Sequence, residues 1–544
     1  MKAKYFLIGI AILAFFLRFF MLGQNPPSLN WDEASLGYNA YSILKTGKDE
    51  YGTFMPLEFR SFDDYKPPVY IYLDVLPVAI FGLTEFAVRF PSALLGFLTV
   101  IVFYFLVKKI QNPDDKKREV VALLSAFLLS ISPWHLQFSR AAYEGNVGLS
   151  FLILAFYLFL KGIERKWYLI LSSISFVICL YSYHSFRLVV PIFLFLLALL
   201  FVKKLWQNKR QVAISFAIIL VFSLPIYIGF LNPEGSKARL SMVSIFGESE
   251  GLQKQLSQLQ YDESHGNIVG QIFHNRRLYY FYEAQKNYLT HFDFNYLFTI
   301  GAGSLHHHAK DMGMMYLFEL PLLLWGLISV FVRPSRKVIA MLMLLIIAPI
   351  PASITTGTPH GVRAIGMVPG LIFLTASGAA ALWTGVSKIK NVNLRTLAIV
   401  VSILIVVINF AYYLNQYYTV TPKDYGFFWQ YGNKEAILEA AKLESKYNRI
   451  IMTYAYDQPY IYYLFYNKVE PSWYQANWDT QGTGQVDRFV RKIGKYEFRN
   501  IDFQNDEKLE KTLLIGTEQE VPVLTPMREI RFPDGKIAYR IVGN

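Results

Sequence analysis

Apolar runs long enough to cross a bilayer recur along most of this 544-residue chain, and they leave few folds open. A hydrocarbon core of ~30 Å takes about 20 helical residues to cross, and every backbone group within it must be bonded inside the segment. Runs near 5–22, 87–107, 119–133, 146–160, 167–183, 187–202, 211–230, 314–332, 338–355, 364–385 and 396–414 meet or approach that length, so about eleven transmembrane helices are expected. The chain reads as a polytopic α-helical membrane protein. Its 53% hydrophobic and 17% charged residues agree, because a soluble chain of this length carries more charge. The net charge of +13 raises the question of nucleic acid, but the cations fall in short loops between apolar runs, so no nucleic-acid partner is expected. The one cysteine, Cys179, excludes an intrachain disulfide and a cysteine zinc site, and reads as a small buried apolar residue.

Charge sets the orientation. Lys2 and Lys4, with clusters around Lys108, Lys161, Lys203, Arg333 and Lys388, put roughly twenty cations on one side, which the positive-inside rule makes cytoplasmic. The first run lacks a small-x-small cleavage site and reads as an uncleaved helix. A transmembrane domain is expected over 1–414. Its first outer loop is 23–86, with interfacial helices that include an apolar stretch at 69–86 bent by Pro77. A larger outer loop covers 231–313, with helices near 253–261 and 276–289. Residues 415–544 read as an extracytoplasmic α/β domain: helix 434–447, strand 449–454, helix 459–466, strand 521–524 and a hairpin of 528–532 with 536–542 around Pro533-Asp534-Gly535. Arg89-Phe90-Pro91 reads as the start of the second span.

Ionisable residues are costly beside lipid and mark function there. Asn30-Trp31-Asp32-Glu33 opens the first outer loop and Asp63-Asp64-Tyr65-Lys66-Pro67-Pro68 approaches its end. Asn30 is a helix cap, which places Asp32 and Glu33 in the first turn of a helix running to about Lys45. A helix N-terminus favours ionised carboxylates, the state a general base requires, although the same residues also serve simply to complement the helix dipole. Pro67 holds Lys66 in an extended segment, fit for a phosphate or for snorkelling. Asp63 and Asp64 can orient the lysine, bind a sugar hydroxyl or be solvated. Among outer-side cations Arg140, Arg187 and Arg363 match a phosphate's geometry, and Glu144, His184 and His360 neighbour them as candidate substrate contacts. Arg18 reads as a snorkelling residue. His306-His307-His308 lacks the spacing of a metal site, and a divalent cation among Asp32, Glu33, Asp63 and Asp64 is opposed by Lys66. With no nucleotide-binding motif in view, the reaction's energy must be stored in the substrate.

At these residues the chain resembles the polyprenyl-phosphate-dependent GT-C glycosyltransferases, in particular the group of protein O-mannosyltransferases and lipid A aminoarabinose transferases (glycosyltransferase family 39 and relatives). The resemblance lies in Trp31-Asp32-Glu33-Ala34-Ser35-Leu36-Gly37-Tyr38, Tyr65-Lys66-Pro67-Pro68-Val69-Tyr70, Glu85-Phe86-Ala87-Val88-Arg89-Phe90-Pro91-Ser92-Ala93-Leu94 and Pro133-Trp134-His135 through Arg140. It implies a GT-C fold, a catalytic aspartate at Asp32 with Glu33 beside it, and a donor-phosphate lysine at Lys66. Tyr65 stands where some relatives carry an acid or histidine, a role that passes to Asp63 or Asp64. The implied reaction is an inverting transfer from a polyprenyl-phosphate sugar to a hydroxyl of an acceptor protein, lipid or glycan. Lys66, Arg363 and Arg140 would take the phosphate, and no metal or other cofactor would be required. The rival reading is a flippase or transporter of lipid-linked sugars. Matched halves and broken mid-membrane helices would mark it, and neither is visible.

Overall fold

The computed structural model describes residues 2–62, 64–115, 117–229, 243–332, 334–477 and 492–544. Asp63 and the first part of the large expected outer loop (231–242) lie outside the described residues. Among the described residues, seven helices are long and apolar enough to cross a membrane: Glu85–Ile110, Glu144–Gly162, Phe186–Gln207, Lys209–Gly229, Arg336–Ser353, Ile365–Ser387 and Val392–Asp424. The pair Arg118–Ile131 and Pro133–Ser139 makes an eighth if its 56° bend is read as one broken span, and Pro133 explains the break. Lys2–Phe19 and the shorter apolar helices Tyr168–Leu180 and Glu319–Phe331 stand at the other expected positions.

The chain divides into two compact units. The first comprises 1–14, 98–135 and 148–410. Here Glu319–Phe331 and Val368–Ser387 cross so closely that a Cβ at Gly326 would lie 1.9 Å from the Leu374 carbonyl oxygen, and one at Gly378 equally close to that of Leu322. Small residues at such a crossing let helix backbones touch where lipid gives no hydrophobic drive. Three cation-rich loops meet in this unit: Lys109 pairs with Glu164, and Lys337 donates to the Lys109 carbonyl at 3.0 Å. That convergence matches the shared side assigned to them from charge.

The second unit comprises 15–97, 136–147 and 411–544. It holds helix α1 (Trp31–Thr46), a hairpin of β1 (Phe59–Ser61) and β2 (Asp64–Lys66), and α2 (Pro68–Phe81). Glu85–Ile110 starts four residues before Arg89, so Pro91 lies inside the helix rather than at its opening, a correction to the expected start. The tail of this unit builds a six-stranded sheet in the order β4-β5-β3-β6-β8-β7. The strands are β3 (Arg449–Met452), β4 (Lys492–Ile493), β5 (Tyr496–Phe498), β6 (Thr512–Gly516), β7 (Arg528–Arg531) and β8 (Ile537–Gly543). β3 runs parallel to β5 and β6, and the hairpin of β7 and β8 is antiparallel, as expected. Residues 521–524 form no strand; Val521 instead packs beside Ile451, Ile501 and Leu514 in the core. Pro459–Tyr466 (α3) is helical as expected, and Pro471–Asn477 (α4) follows it.

Candidate active site

α1 begins where the capping pattern places it. Asn30 accepts the Glu33 amide at 2.9 Å, and the Glu33 carboxylate accepts the Asn30 amide at 3.2 Å, which closes a capping box. Asp32 then projects from the first turn with its side chain 52% exposed. The β1–β2 hairpin sets Phe59 opposite Lys66, and Pro67 turns the chain into α2. Lys66 is 4% exposed, and its ammonium is hydrogen-bonded to the Asp32 carboxylate. The first loop thus brings together a half-exposed carboxylate at a helix N-terminus and a buried cation. Tyr143, absent from the sequence reading, stands near both acids; burial and the Glu33 and Asp32 charges push its phenol well up.

Glu33 does something else. It is 1% exposed, and each of its oxygens accepts two bonds: Arg89 Nε at 2.9 Å and the Ala142 amide at 2.9 Å on Oε1, Arg89 Nη2 at 3.1 Å and the Asn30 amide on Oε2. Arg89 also donates to the carbonyls of Leu22, Pro26 and Ser28. A carboxylate so fully engaged has no oxygen to offer a substrate proton, which corrects the expectation that Glu33 shares the proton-transfer role. Its place is to fasten α1 to the helix bearing Arg89 and to the 141–143 turn.

Arg140 also differs from expectation. It is 1% exposed and donates to the carbonyls of Leu17, Phe20 and Asn25 and to the Tyr417 hydroxyl, with its guanidinium over the Tyr417 and Tyr418 rings. Its donors hold the end of the first helix and the chain just after it, leaving it no role as a phosphate fork. Arg18 is fully buried rather than snorkelling. Glu144 opens its helix half-buried; Asp64 lies in β2 opposite Ser61.

Glu50 is a buried acid that sequence reasoning missed. It is wholly buried, its Oε1 accepts Asn39 Nδ2 at 3.0 Å, and its amide donates to Asn39 Oδ1 at 3.0 Å. Asn39 contacts Ser35, whose hydroxyl lies 2.8 Å from that of Ser61 on the lysine-bearing hairpin. Burial pushes the Glu50 carboxyl up to about 8, with Asp49 adding to the rise and Asn39, Arg60 and Lys66 opposing it. An unfolded glutamate releases its proton near 4.5, so between there and about 8 the folded chain holds the extra proton. This contribution to stability is complete below 4.5 and is lost as pH rises through 8. Glu50→Gln is expected to flatten the fall of melting temperature across that window; equal slopes for the two proteins would rule the assignment out.

The tail's helices pack on α1. A Cβ at Gly37 would lie 2.8 Å from the Phe465 ring and 2.4 Å from Val88 Cγ2, so only glycine fits there without displacing its neighbours. Tyr462 bonds the Leu29 carbonyl, Tyr38 that of Val469, and Gln475 reaches Ser42, Thr46 and the Asp49 carbonyl.

The other unit holds a separate polar cluster. His291 Nδ1 donates to the Asn287 carbonyl, and its Nε2 accepts the His360 amide at 3.1 Å. Burial lowers this imidazole to about 4, so it stays neutral, as an accepting nitrogen requires. The rings of His307 and His360 lie 4.7 Å apart, and Arg363 bonds the Thr355 hydroxyl and the Thr356 carbonyl. His184 sits half-buried in the turn before Phe186–Gln207. Among the described residues no group of three His, Cys, Asp or Glu could hold a metal ion.

This helical architecture with a sheet-bearing tail is that of the GT-C membrane proteins. ArnT from Cupriavidus metallidurans bound to undecaprenyl phosphate superposes with a TM-score of 0.53 at 13% identity, covering 99% of this chain and 97% of that one. The archaeal oligosaccharyltransferase AglB from Archaeoglobus fulgidus, in complex with an inhibitory peptide and a dolichol-phosphate, superposes with a TM-score of 0.52 at 14% identity, covering 96% of this chain and 70% of that one. At such identities the likeness establishes the fold alone: the chain has the fold of the GT-C membrane proteins, with several helices long and apolar enough to cross a membrane. In sequence, the family described as dolichyl-phosphate-mannose-protein mannosyltransferase matches residues 65–228. An uncharacterized protein of Aquifex aeolicus (strain VF5) is 31% identical over 166 residues, a stretch that spans 30% of this chain and 31% of that protein.

Proposed function

We propose that this protein is an inverting glycosyltransferase that moves a sugar from a polyprenyl-phosphate donor to an acceptor hydroxyl on the extracytoplasmic face of the membrane. The observation that carries the reading is the pairing of half-exposed Asp32, at a helix N-terminus, with the buried ammonium of Lys66. A lysine ammonium is a compact point charge, and beside the carboxylate it supplies the positive charge that the phosphate of a lipid-linked donor would meet. In the reaction the acceptor oxygen attacks the anomeric carbon as its proton passes to Asp32. The bond from that carbon to the phosphate oxygen breaks, and the electron pair stays on the phosphate, where Lys66 offsets the growing charge. A polyprenyl phosphate leaves readily, so no protein acid is needed, and the displacement as proposed uses no metal. Attack opposite the leaving group inverts the anomeric centre, through a state with oxocarbenium character.

The test is turnover of a labelled polyprenyl-phosphate sugar by the purified protein. Release of polyprenyl phosphate in step with an acceptor glycoside of inverted configuration is the expected result; movement of intact donor across a vesicle membrane with no glycoside formed would replace the reading with a transporter. Lys66→Ala is expected to weaken donor binding by about 10- to 100-fold, the scale of one charge-assisted contact to phosphate. An unchanged donor titration would remove Lys66 from the phosphate.

A further inference from the structure

Residues 243–313 contain a small helical hairpin of Glu250–Ser264, Ile268–Phe273 and Arg276–Thr290. Its corner is built with care. Asp262, 5% exposed, accepts Asn267 Nδ2 at 2.8 Å and pairs with His274 Nδ1. The Asn267 side chain in turn accepts the Gly270 amide at 3.1 Å. A Cβ at Gly270 would lie 2.2 Å from the Asp262 carboxylate, so the polar lock closes only over a glycine.

This lock holds apolar side chains outward. Ile268 is 71% exposed, Val269 63%, Ile272 56% and Phe273 52%. Four large apolar residues on one six-residue helix make a patch at the scale that marks an interaction surface. Arg276-Arg277, both exposed, follow at once. The base of the hairpin is fixed to a span. Tyr288 bonds the Ile346 carbonyl at 2.8 Å, near the end of Arg336–Ile347, and Asn287 bonds that of Ser353. Exposed apolar side chains also occur near that span, Ile346 at 47%, Leu289 58%, Phe281 60% and Tyr282 49%, with the exposed polar Gln285 and Lys286 among those of the helix. The helix Arg276–Thr290 buries none of its residues.

An exposed apolar patch on a hairpin whose base is bonded to the end of a span, and followed by two arginines, fits a lipid leaflet that carries anionic headgroups. We propose that Ile268–Phe273 is an interfacial anchor that beds its apolar side chains into the boundary between headgroups and acyl chains of the bilayer the protein spans. The hairpin is thereby moored to the membrane at its tip as well as at its base. The anchor does not depend on the transfer reaction.

The test uses a label at position 269. The only native cysteine, Cys179, is fully buried, so a Val269→Cys variant of the full chain takes one environment-sensitive fluorophore. The protein is placed in nanodiscs of phosphatidylcholine and phosphatidylglycerol, with or without lipids spin-labelled at a shallow acyl position. A second variant, Lys286→Cys, at a side chain 71% exposed, is the reference. The expected result is blue-shifted emission at position 269 and at least about twofold stronger quenching than at 286, as for a group buried a few ångströms below the headgroups. Equal, water-like emission at both positions overturns the proposal. Protection at 269 that arises only when a soluble acceptor peptide or glycan is added overturns it as well, and assigns the patch to the acceptor.

Discussion

Asp32→Asn is expected to cut turnover by about 10³-fold, within the range that loss of a general base produces, while donor binding persists. Asparagine keeps the volume and a hydrogen-bond acceptor for Lys66 but cannot take up the acceptor's proton. The side chain is half exposed, so the fold loses little, and the melting temperature in detergent should fall by only a few degrees. Single-turnover measurement with bound donor separates the outcomes: a slow chemical step with an intact donor titration is expected, and near-normal turnover would take the proton-acceptor role from Asp32. Its neighbour should behave in the opposite sense. Glu33→Gln is expected to lower stability, because Glu33 accepts two donors on each oxygen in a site closed to solvent.

Arg89→Leu should be the most destabilising single change in this unit. It strands the Glu33 carboxylate at 1% exposure and removes the donors to the Leu22, Pro26 and Ser28 carbonyls. Removing one partner of a buried pair typically costs about 3–5 kcal/mol, since an uncompensated charge remains. Thermal unfolding and membrane yield report the loss. Replacing both partners, as Arg89→Leu with Glu33→Leu, should recover part of it, because no buried charge is then left alone. A single variant as stable as the wild type would show that the pair does not hold the loop.

These contrasts mark what the sequence made legible. Asn30 and the acids after it located α1 within a residue or so, because caps are local chemistry. Lys66 was legible through Pro67, which forces an extended neighbour. The pairing of Glu33 with Arg89, 56 residues apart, was not, since two adjacent acids look alike until tertiary contacts divide them. Arg140 misled for a similar reason: an outer arginine that brackets carbonyls has the same surroundings in sequence as one that waits for phosphate. Glu50 carried no local signal; only the burial that the fold imposes makes it unusual. In the tail, the expected strand at 521–524 fails beside Pro522, which has no amide hydrogen for a ladder. Thr512–Gly516 escaped notice because a strand buried along its whole length shows no alternation.

Gln475 bonds Ser42 and Thr46 of the helix that presents Asp32, and Tyr462 bonds the Leu29 carbonyl just ahead of it, although both are separated from these partners by more than four hundred positions. The ribosome therefore makes the carboxylate proposed as the proton acceptor early and its clasp near the finish. A nascent chain halted before Pro459 carries both Asp32 and Lys66 and lacks the splint that steadies their helix. For anyone grafting tails between relatives, the heritable piece is discontinuous: the segment around Gly37 and the one around Phe465 must travel together, or the seam between them will not close.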